Sequence, residues 1–119
     1  MNYIFYTKTI DTTNTTYYLV DIKDDNTILT NLDFTIKNFS ELKTLINGIE
    51  QSKTKPKGEE YIWANEDVTV NANENGILLI DMLAQRAGIY DPDIITLRLE
   101  HNEFITFLQD FKKFIKENS

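Results

Sequence analysis

Hydrophobic and polar residues are arranged along the first part of the chain in a pattern that predicts a β-hairpin. Residues 2–9 and 17–22 are rich in Tyr, Ile, Phe and Val, the residue types that favour strands. The segment 11–16 between them, Asp-Thr-Thr-Asn-Thr-Thr, is polar throughout and therefore predicts a turn. A second polar turn is predicted at 23–26, where the hairpin would end.

A third strand and a helix are predicted to follow the hairpin. Apolar and polar residues alternate over 27–36, and the apolar face of this predicted strand comprises Ile28, Leu32, Phe34 and Ile36. The helix begins near Ser40, which suits an N-cap, and its stripe at helical spacing comprises Leu42, Leu45, Ile46 and Ile49. Proline and glycine in the loop 53–58 end the helix, because neither residue continues the pattern.

The second half of the chain returns to strand patterns. Asn75-Gly76 lies between the runs 68–72 and 77–80, which predicts a hairpin closed by a type I′ turn. We prefer a strand that continues to about Leu83, with irregular structure after it. The alternative is a helix that ends at Gly88, with a stripe that comprises Ile80, Leu83, Ala84 and Ala87.

A last strand and a last helix complete the pattern. Asp91-Pro92 is typical of a turn, and the alternation of Ile95, Leu97 and Leu99 with polar residues then predicts a half-buried strand. The C-terminal helix has the clearest pattern in the chain, with Asn102 as its candidate cap. Its apolar side comprises Phe104, Phe107, Leu108, Phe111 and Ile115.

The predicted order of elements is βββα βββα, in one domain that spans residues 1–119. Hairpins dominate and only two helices are predicted, so a fold of repeated βαβ units is disfavoured. We therefore expect an α+β fold with a mostly antiparallel sheet of about six strands. Both helices are expected to pack on one face of that sheet.

The stretch YIWANEDVTV, residues 61–70, leaves two interpretations open. If residues 60–72 form one unbroken strand, the side chains of Tyr61 and Trp63 point to its solvent-facing side and the indole is exposed. A bulge at Asn65-Glu66 would instead turn both aromatic side chains into the core, beside the valines that follow. The burial of the only tryptophan distinguishes the two.

The acidic residues of the chain are concentrated in one segment. Residues 59–103 hold ten acidic side chains against Arg86 and Arg98, a net charge of −8, whereas the whole chain carries −7. A segment of this charge repels nucleic acid and anionic lipid, so we expect neither a nucleic acid nor a membrane as partner. It would attract a basic protein surface and accelerate the encounter with it.

The sequence contains no signature of catalysis, of a cofactor or of a metal site. Cysteine is absent, and the four glycines are scattered, with no Gly-x-Gly. His101 is the only histidine and is expected to be a capping or surface residue. We therefore expect no enzymatic activity, no cofactor and no metal. The first ten residues lack the pattern of a signal peptide, which together with the absence of cysteine favours the cytoplasm.

Three stretches of the second half carry a resemblance to a known class of proteins. They are GEEYIWANEDVTV, GILLIDMLAQRAG and LEHNEFITFLQDFKKFI. In an acidic single-domain chain, these stretches resemble the small immunity proteins of bacterial polymorphic toxins, including contact-dependent growth inhibition systems. The resemblance implies a cytoplasmic protein of bacterial competition that binds and blocks a cognate toxin domain, often a basic nuclease.

The leading hypothesis is a non-enzymatic inhibitor that binds one protein partner, and we expect the inhibitor to be a monomer. Aromatic side chains would anchor the interface and carboxylates would steer the encounter. The candidate partner-binding residues are Tyr61, Trp63, Glu66, Asp67, Tyr90, Asp91 and Asp93. The alternative is a structural or scaffolding protein that self-assembles through its sheet, with the acidic residues serving solubility.

Overall fold

The chain folds into two antiparallel sheets joined by helices, in a computed structural model that describes residues 1–24 and 26–119. The elements in chain order are β1 (Tyr3–Ile10), β2 (Thr15–Ile22), α1 (Phe39–Ser52), β3 (Tyr61–Ala64), β4 (Val68–Asn73), β5 (Gly76–Asp81), α2 (Met82–Arg86), α3 (Pro92–Ile95), β6 (Thr96–Leu99) and α4 (His101–Glu117). The α+β class, the antiparallel pairing and the total of six strands are confirmed. The single sheet is wrong, because β1-β2 and β3-β4-β5-β6 form separate sheets.

The first hairpin is confirmed, and it packs on the C-terminal helix. Strands β1 and β2 pair from Tyr3↔Ile22 to Ile10↔Thr15. The ring of Phe5 stacks on that of Phe111 in α4, with centroids 4.7 Å apart. The hydroxyl of Tyr3 donates to Asp110 at 2.5 Å, and burial, reinforced by this carboxylate, raises the pKa of Tyr3 to about 12. The turn predicted at 23–26 includes Asp25, which lies outside the described residues.

The predicted third strand at 27–36 is wrong. The chain forms short 3₁₀ turns at Ile28–Asn31 and Ile36–Asn38, with one isolated bridge between Tyr18 and Phe34. Ile28 and Leu29 are adjacent in the sequence and both are buried. Because successive residues of a strand point to opposite faces, a strand could not bury both side chains against one core. The 3₁₀ turn at Ile28–Asn31 buries both of these side chains. Ile36, in the second turn, is exposed.

The two long helices contact each other; α1 also contacts β3 and β4, and α4 contacts β5. Their packing differs from the prediction of two helices on one face of a single sheet, because α4 also packs on the separate β1–β2 hairpin. Helix α1 buries its predicted stripe, and α4 buries every residue predicted for its apolar side. Both predicted caps are wrong. Helix α1 begins after Asn38, two residues before Ser40, and α4 begins after Glu100. The side chain of Asn102 instead accepts a hydrogen bond from Lys53 at 2.8 Å.

The hairpin predicted around Asn75-Gly76 forms, but its turn differs by one residue. Asn73 pairs with Gly76, so the loop is Glu74-Asn75, and Asn75 does not adopt positive φ. The type I′ prediction is therefore wrong. Gly76 has φ +135°, and a Cβ there would lie 3.0 Å from the carbonyl oxygen of Leu99. Glycine thus permits β5 to begin beside β6.

The segment after β5 contains two short helices where irregular structure was preferred. The strand preference holds as far as Asp81, whose carboxylate then caps α2 by accepting from the Ala84 amide at 2.9 Å. The alternative helix is correct in that α2 ends just before Gly88, but its buried stripe is wrong, because Leu83 is exposed. Helix α3 begins at Pro92 and is capped by the carboxylate of Asp91.

A close contact between α1 and β3 depends on Gly48. The phenol ring of Tyr61 lies on the helix at this glycine, and a Cβ on residue 48 would overlap the ring. The hydroxyl of Tyr61 reaches the carbonyl of Thr44 at 3.4 Å, one turn earlier in the helix, and burial raises the pKa of Tyr61. The glycine therefore sets how closely the edge strand of the sheet approaches α1.

We predict that Gly48→Ala destabilises the protein. In an unobstructed helix the change stabilises by about 1 kcal/mol, but overpacking against Tyr61 should cost about 1–3 kcal/mol and reverse the sign. Urea denaturation measures the free energy of unfolding. In a Tyr61→Ala background the ring is gone, so the same change should become stabilising. A stabilising Gly48→Ala with Tyr61 present would contradict the contact.

Candidate partner-binding site

The chain reverses direction at Asn65, so residues 60–72 form a hairpin rather than one strand. The amide of Asn65 donates to the carbonyl of Val68 at 3.1 Å, and strand pairs continue back to Tyr61↔Ala72. The Asn65 side-chain oxygen accepts from the amides of Asp67 and Val68 at 2.8 and 2.9 Å. Its amide nitrogen donates to the carbonyl of Asn31 at 3.0 Å. One side chain thus closes the turn and ties it to the first 3₁₀ turn.

This reversal replaces both interpretations of Trp63. Trp63 pairs with Val70, and its side chain lies half-buried on the core-facing side, 6.3 Å from the ring of Phe34. The outcome for Tyr61 and Trp63 resembles that expected from a bulge, but the cause is a change of chain direction. Ile62, which the unbroken strand would have placed on the core side, is exposed on the outer face. Tyr61 and Trp63 are therefore packed mainly within the protein.

The antiparallel sheet divides the acidic segment between its two ends. Val68 pairs with Asp81, and Ile80 with Thr96, at one end; Asn73 pairs with Gly76, and Ile77 with Leu99, at the other. The six residues of β4 separate these ends by about 20 Å. We call the first the Asn65 end, with Glu66, Asp67, Asp81, Asp91 and Asp93. The Asn75 end has Glu59, Glu60, Glu74, Glu100 and Glu103.

The candidate residues are thereby divided. Glu66, Asp67, Tyr90, Asp91 and Asp93 all belong to the Asn65 end, whereas Tyr61 and Trp63 lie on the core-facing side of β3. Glu66, Tyr90, Asp91 and Asp93 are exposed, and Asp67 is half-buried. Asp91 also has a structural role, because its carboxylate accepts from the Asp93 amide at 3.0 Å.

Arg86 joins α2 to the β3–β4 turn. Its guanidinium donates to the carbonyl of Glu66 at 2.6 Å and to the carboxylate of Asp67 at 3.2 Å. The carbonyl of Asp67 accepts from the amides of Met82 and Leu83 at 2.9 and 3.2 Å. Asp67 and Arg86 therefore fix the position of the helix, and the charge of Arg86 is engaged at the turn.

Exposed apolar side chains accompany these carboxylates. Four of the nine large apolar side chains that are exposed among the described residues fall between positions 83 and 94. They are Leu83 (52% exposed), Ile89 (42%), Tyr90 (70%) and Ile94 (59%). Helices α2 and α3 contact each other, so this set, which we call the apolar knob, lies on adjacent elements. An exposed apolar set beside charged residues is typical of a protein interface.

A cleft of about 180 Å³ adjoins the Asn65 end. Its lining includes Trp63 and Phe34 together with the carboxylates of Asp33, Glu41, Glu66 and Asp67. Burial raises the pKa of Asp33, and the negative charges of Asp67 and Glu66 raise it further. Within residues 1–24 and 26–119, no group of three acidic or histidine side chains is arranged to hold a metal ion.

His101 has a structural contact. Its Nε2 lies 2.6 Å from the carbonyl of Asn73, to which it donates a hydrogen bond, so the start of α4 is joined to the β4–β5 turn. The ring is half-buried at the Asn75 end, away from the apolar knob. The histidine was expected to be a capping or surface residue; its ring instead bonds to a strand carbonyl and does not cap α4.

Comparisons of the chain with protein-family models, curated proteins and solved structures found no match. Among the described residues, no helix is both long enough and apolar enough to cross a membrane. The interpretation of the site therefore depends on its geometry.

Sequence reasoning missed Leu83, Ile89 and Ile94 of the apolar knob, Arg86 at the turn and Asp33 in the cleft. The available signal was the position of Ile89 and Ile94 in a segment marked as a loop by Gly88 and Pro92, because connecting segments run over the protein surface. Asp33 carried no signal, since its approach to Glu66 and Asp67 depends on tertiary contacts.

We predict that Asp33→Asn stabilises the protein at neutral pH. The raised pKa means that the folded state binds the Asp33 proton more tightly than the unfolded chain does, so stability is lost as pH rises through the folded pKa. The asparagine avoids this loss, and its advantage should vanish below the ordinary pKa of 3.8. Thermal melts across pH measure the effect.

The control for this prediction is Asp11→Asn, which makes the same charge change on the exposed β1–β2 turn. Its melting temperature should follow that of the unmodified protein at every pH. Equal gains from both substitutions at pH 7 would show that net charge, rather than the cleft, is responsible.

Proposed function

We propose that this chain is a non-enzymatic immunity-type inhibitor that binds a cognate toxin domain through its Asn65 end. The partner is expected to be a basic, nuclease-type effector. The observation that carries the proposal is the apolar knob of Leu83, Ile89, Tyr90 and Ile94, exposed at the same sheet end as five carboxylates. Desolvated apolar anchors within a charged rim are the arrangement that gives protein interfaces their affinity and specificity.

The charges of the Asn65 end favour a basic partner. Its five acidic side chains face one arginine, and Arg86 is already bonded to Glu66 and Asp67. Uncompensated carboxylates steer a positively charged protein and raise its association rate. Tyr90 is the most exposed member of the knob, and tyrosine is among the residues most often found as an interface anchor.

The roles of the two sets of residues differ. Glu66 and Asp93 are exposed and would act mainly on the association rate, whereas the apolar knob would act on the dissociation rate. Asp67 supports α2 through Arg86 and its own carbonyl, so its replacement would disturb the fold as well. Tyr61 and Trp63 would act through packing beneath the surface. A variant that is designed to test partner binding should therefore change only exposed residues.

We predict that Tyr90→Ala and Ile94→Ala each weaken binding about thirtyfold, the loss expected for an interface hot spot. The partner tested is the C-terminal domain encoded by the gene immediately upstream, and binding is measured by surface plasmon resonance. Ile62→Ala, at an equally exposed isoleucine on the outer sheet face, is the control and should leave affinity unchanged.

The electrostatic part is tested by the pair Glu66→Lys with Asp93→Lys, which should slow association most strongly at low salt. Glu59→Lys with Glu60→Lys makes the same charge change at the Asn75 end and should slow association less. If both pairs of substitutions slowed association equally, the Asn65 end would not be the binding surface. Failure of the upstream domain to bind the unmodified protein would overturn the inhibitor function itself.

A further inference from the structure

Strand β1 has one edge to which no strand of the described chain is paired. Within residues 1–24 and 26–119, β1 pairs only with β2, and the sheet order is β1-β2. The strand is eight residues long, and its sequence YIFYTKTI contains one charge and no proline. Natural proteins usually protect such an edge with several charges, proline or a covering element, because free backbone groups pair with other strands.

The identity of the free backbone groups follows from the ladder. The amide of Lys23 donates to the carbonyl of Asn2, which continues the β1–β2 register by one residue. Hydrogen-bonded pairs alternate along an antiparallel ladder, so the even-numbered residues of β1 bond to β2. The N–H and C=O groups of the odd-numbered residues point away from β2. These residues are Tyr3, Phe5, Thr7 and Thr9.

We propose that this edge pairs antiparallel with β1 of a second copy of the chain, about a two-fold axis at Tyr6. In that register Tyr3 is opposite Thr9 of the second copy, and Phe5 is opposite Thr7 of the second copy. All the free groups are then satisfied by about eight hydrogen bonds between the chains. A register centred on Phe5 or on Thr7 leaves some of these groups unpaired.

The outward-facing side chains suit the same register. Ile4 is 57% exposed and Tyr6 is 45% exposed. The pairing places Tyr6 beside Tyr6 of the second copy, and Ile4 beside Lys8 of the second copy, whose aliphatic stem can cover it. Tyr3 and Phe5 remain on the opposite face, packed on α4, so the core is unchanged.

The charge distribution identifies a second copy as the occupant of this edge. Two copies of net charge −7 repel each other, and the repulsion comes from residues 59–103. The β1–β2 hairpin, residues 3–22, holds only Lys8 against Asp11 and Asp21, a net side-chain charge of −1, and Asp21 is paired with Lys23 just beyond β2. It is therefore the surface on which two copies approach with little repulsion, whereas a basic partner is drawn to the acidic ends. The dimer differs from the monomer expected from the sequence and is independent of the proposed inhibitor function.

Single-cysteine cross-linking tests the register, because the chain has no cysteine of its own. Residues opposite each other at a non-hydrogen-bonded position have Cα atoms about 4.5 Å apart, within the range of a disulfide. Tyr6→Cys should therefore form a disulfide-linked dimer under mild oxidation. Ile4→Cys is the control, because its two copies would be about 13 Å apart. Linkage of Ile4→Cys as fast as Tyr6→Cys would overturn the proposed pairing.

Sedimentation equilibrium of the cysteine-free protein supplies a second readout. Thr7→Pro removes an N–H that points away from β2 and should raise the dimer dissociation constant about thirtyfold, from two lost hydrogen bonds per dimer. Thr7→Val keeps the N–H and should leave the constant unchanged within about threefold. A monomer at the highest soluble concentration of the unmodified protein, or equal dimerisation of the proline variant, would overturn the proposal.

Discussion

The reversal of the chain at Asn65 is the constraint on which the other features of the four-stranded sheet depend. One carboxamide accepts from two backbone amides of the turn and donates to the carbonyl of Asn31. The reversal sets β3 against β4 in the register that turns Trp63 inward beside Val70. It also brings Glu66 and Asp67 to the sheet end where α2 begins, so that Arg86 can bond to both. Core packing and surface chemistry are thus fixed by the same turn.

Charge is distributed over the molecule in a way that separates its surfaces. The acidic segment is divided between the two ends of the sheet, whereas Lys112 of α4 lies close enough to Lys43 of α1 for their charges to interact. The pKa of Lys112 in α4 is lowered by partial loss of solvent and by the charges of Lys116 and Lys43. The β1–β2 hairpin carries little net charge by comparison. A basic partner and a second copy of the chain would consequently approach different surfaces.

Parts of the fold that depend on local chemistry were predictable from the sequence. The polar turn at 11–16 and the apolar stripes of α1 and α4 gave elements close to those observed, because helix and strand periodicities are local properties. The strand prediction for 27–36 was wrong because Leu29 does not fit the alternation of apolar and polar residues and is buried next to Ile28. The turn at 65–67 was missed because neither glycine nor proline marks it; the signal was Asn65, whose side chain closes the turn by accepting from the amide two residues later.

The candidate site was predictable only in part, for a related reason. Counting acids along the chain located the charge, but the register of β4 and β5 decides which acids are neighbours. Glu66, Asp67, Asp91 and Asp93 fall at one end, while Tyr61 and Trp63 face the core. Leu83 and Ile94 were not among the candidate site residues, although the structure leaves both exposed beside those acids. The alternation of residues along a strand shows which side chains face the core only when the course of the chain is known.

The most direct test of this account is a nuclear Overhauser experiment on residues 61–72. In the observed register Ile62 is opposite Asn71 and Ala64 is opposite Thr69, at the positions between hydrogen-bonded pairs. Their Cα atoms should be about 4.5 Å apart, so strong Hα–Hα cross-peaks are expected for both pairs. A single continuous strand would separate Ile62 from Asn71 by about 30 Å and give neither cross-peak. That result would contradict the reversal at Asn65 and the surface assigned to it.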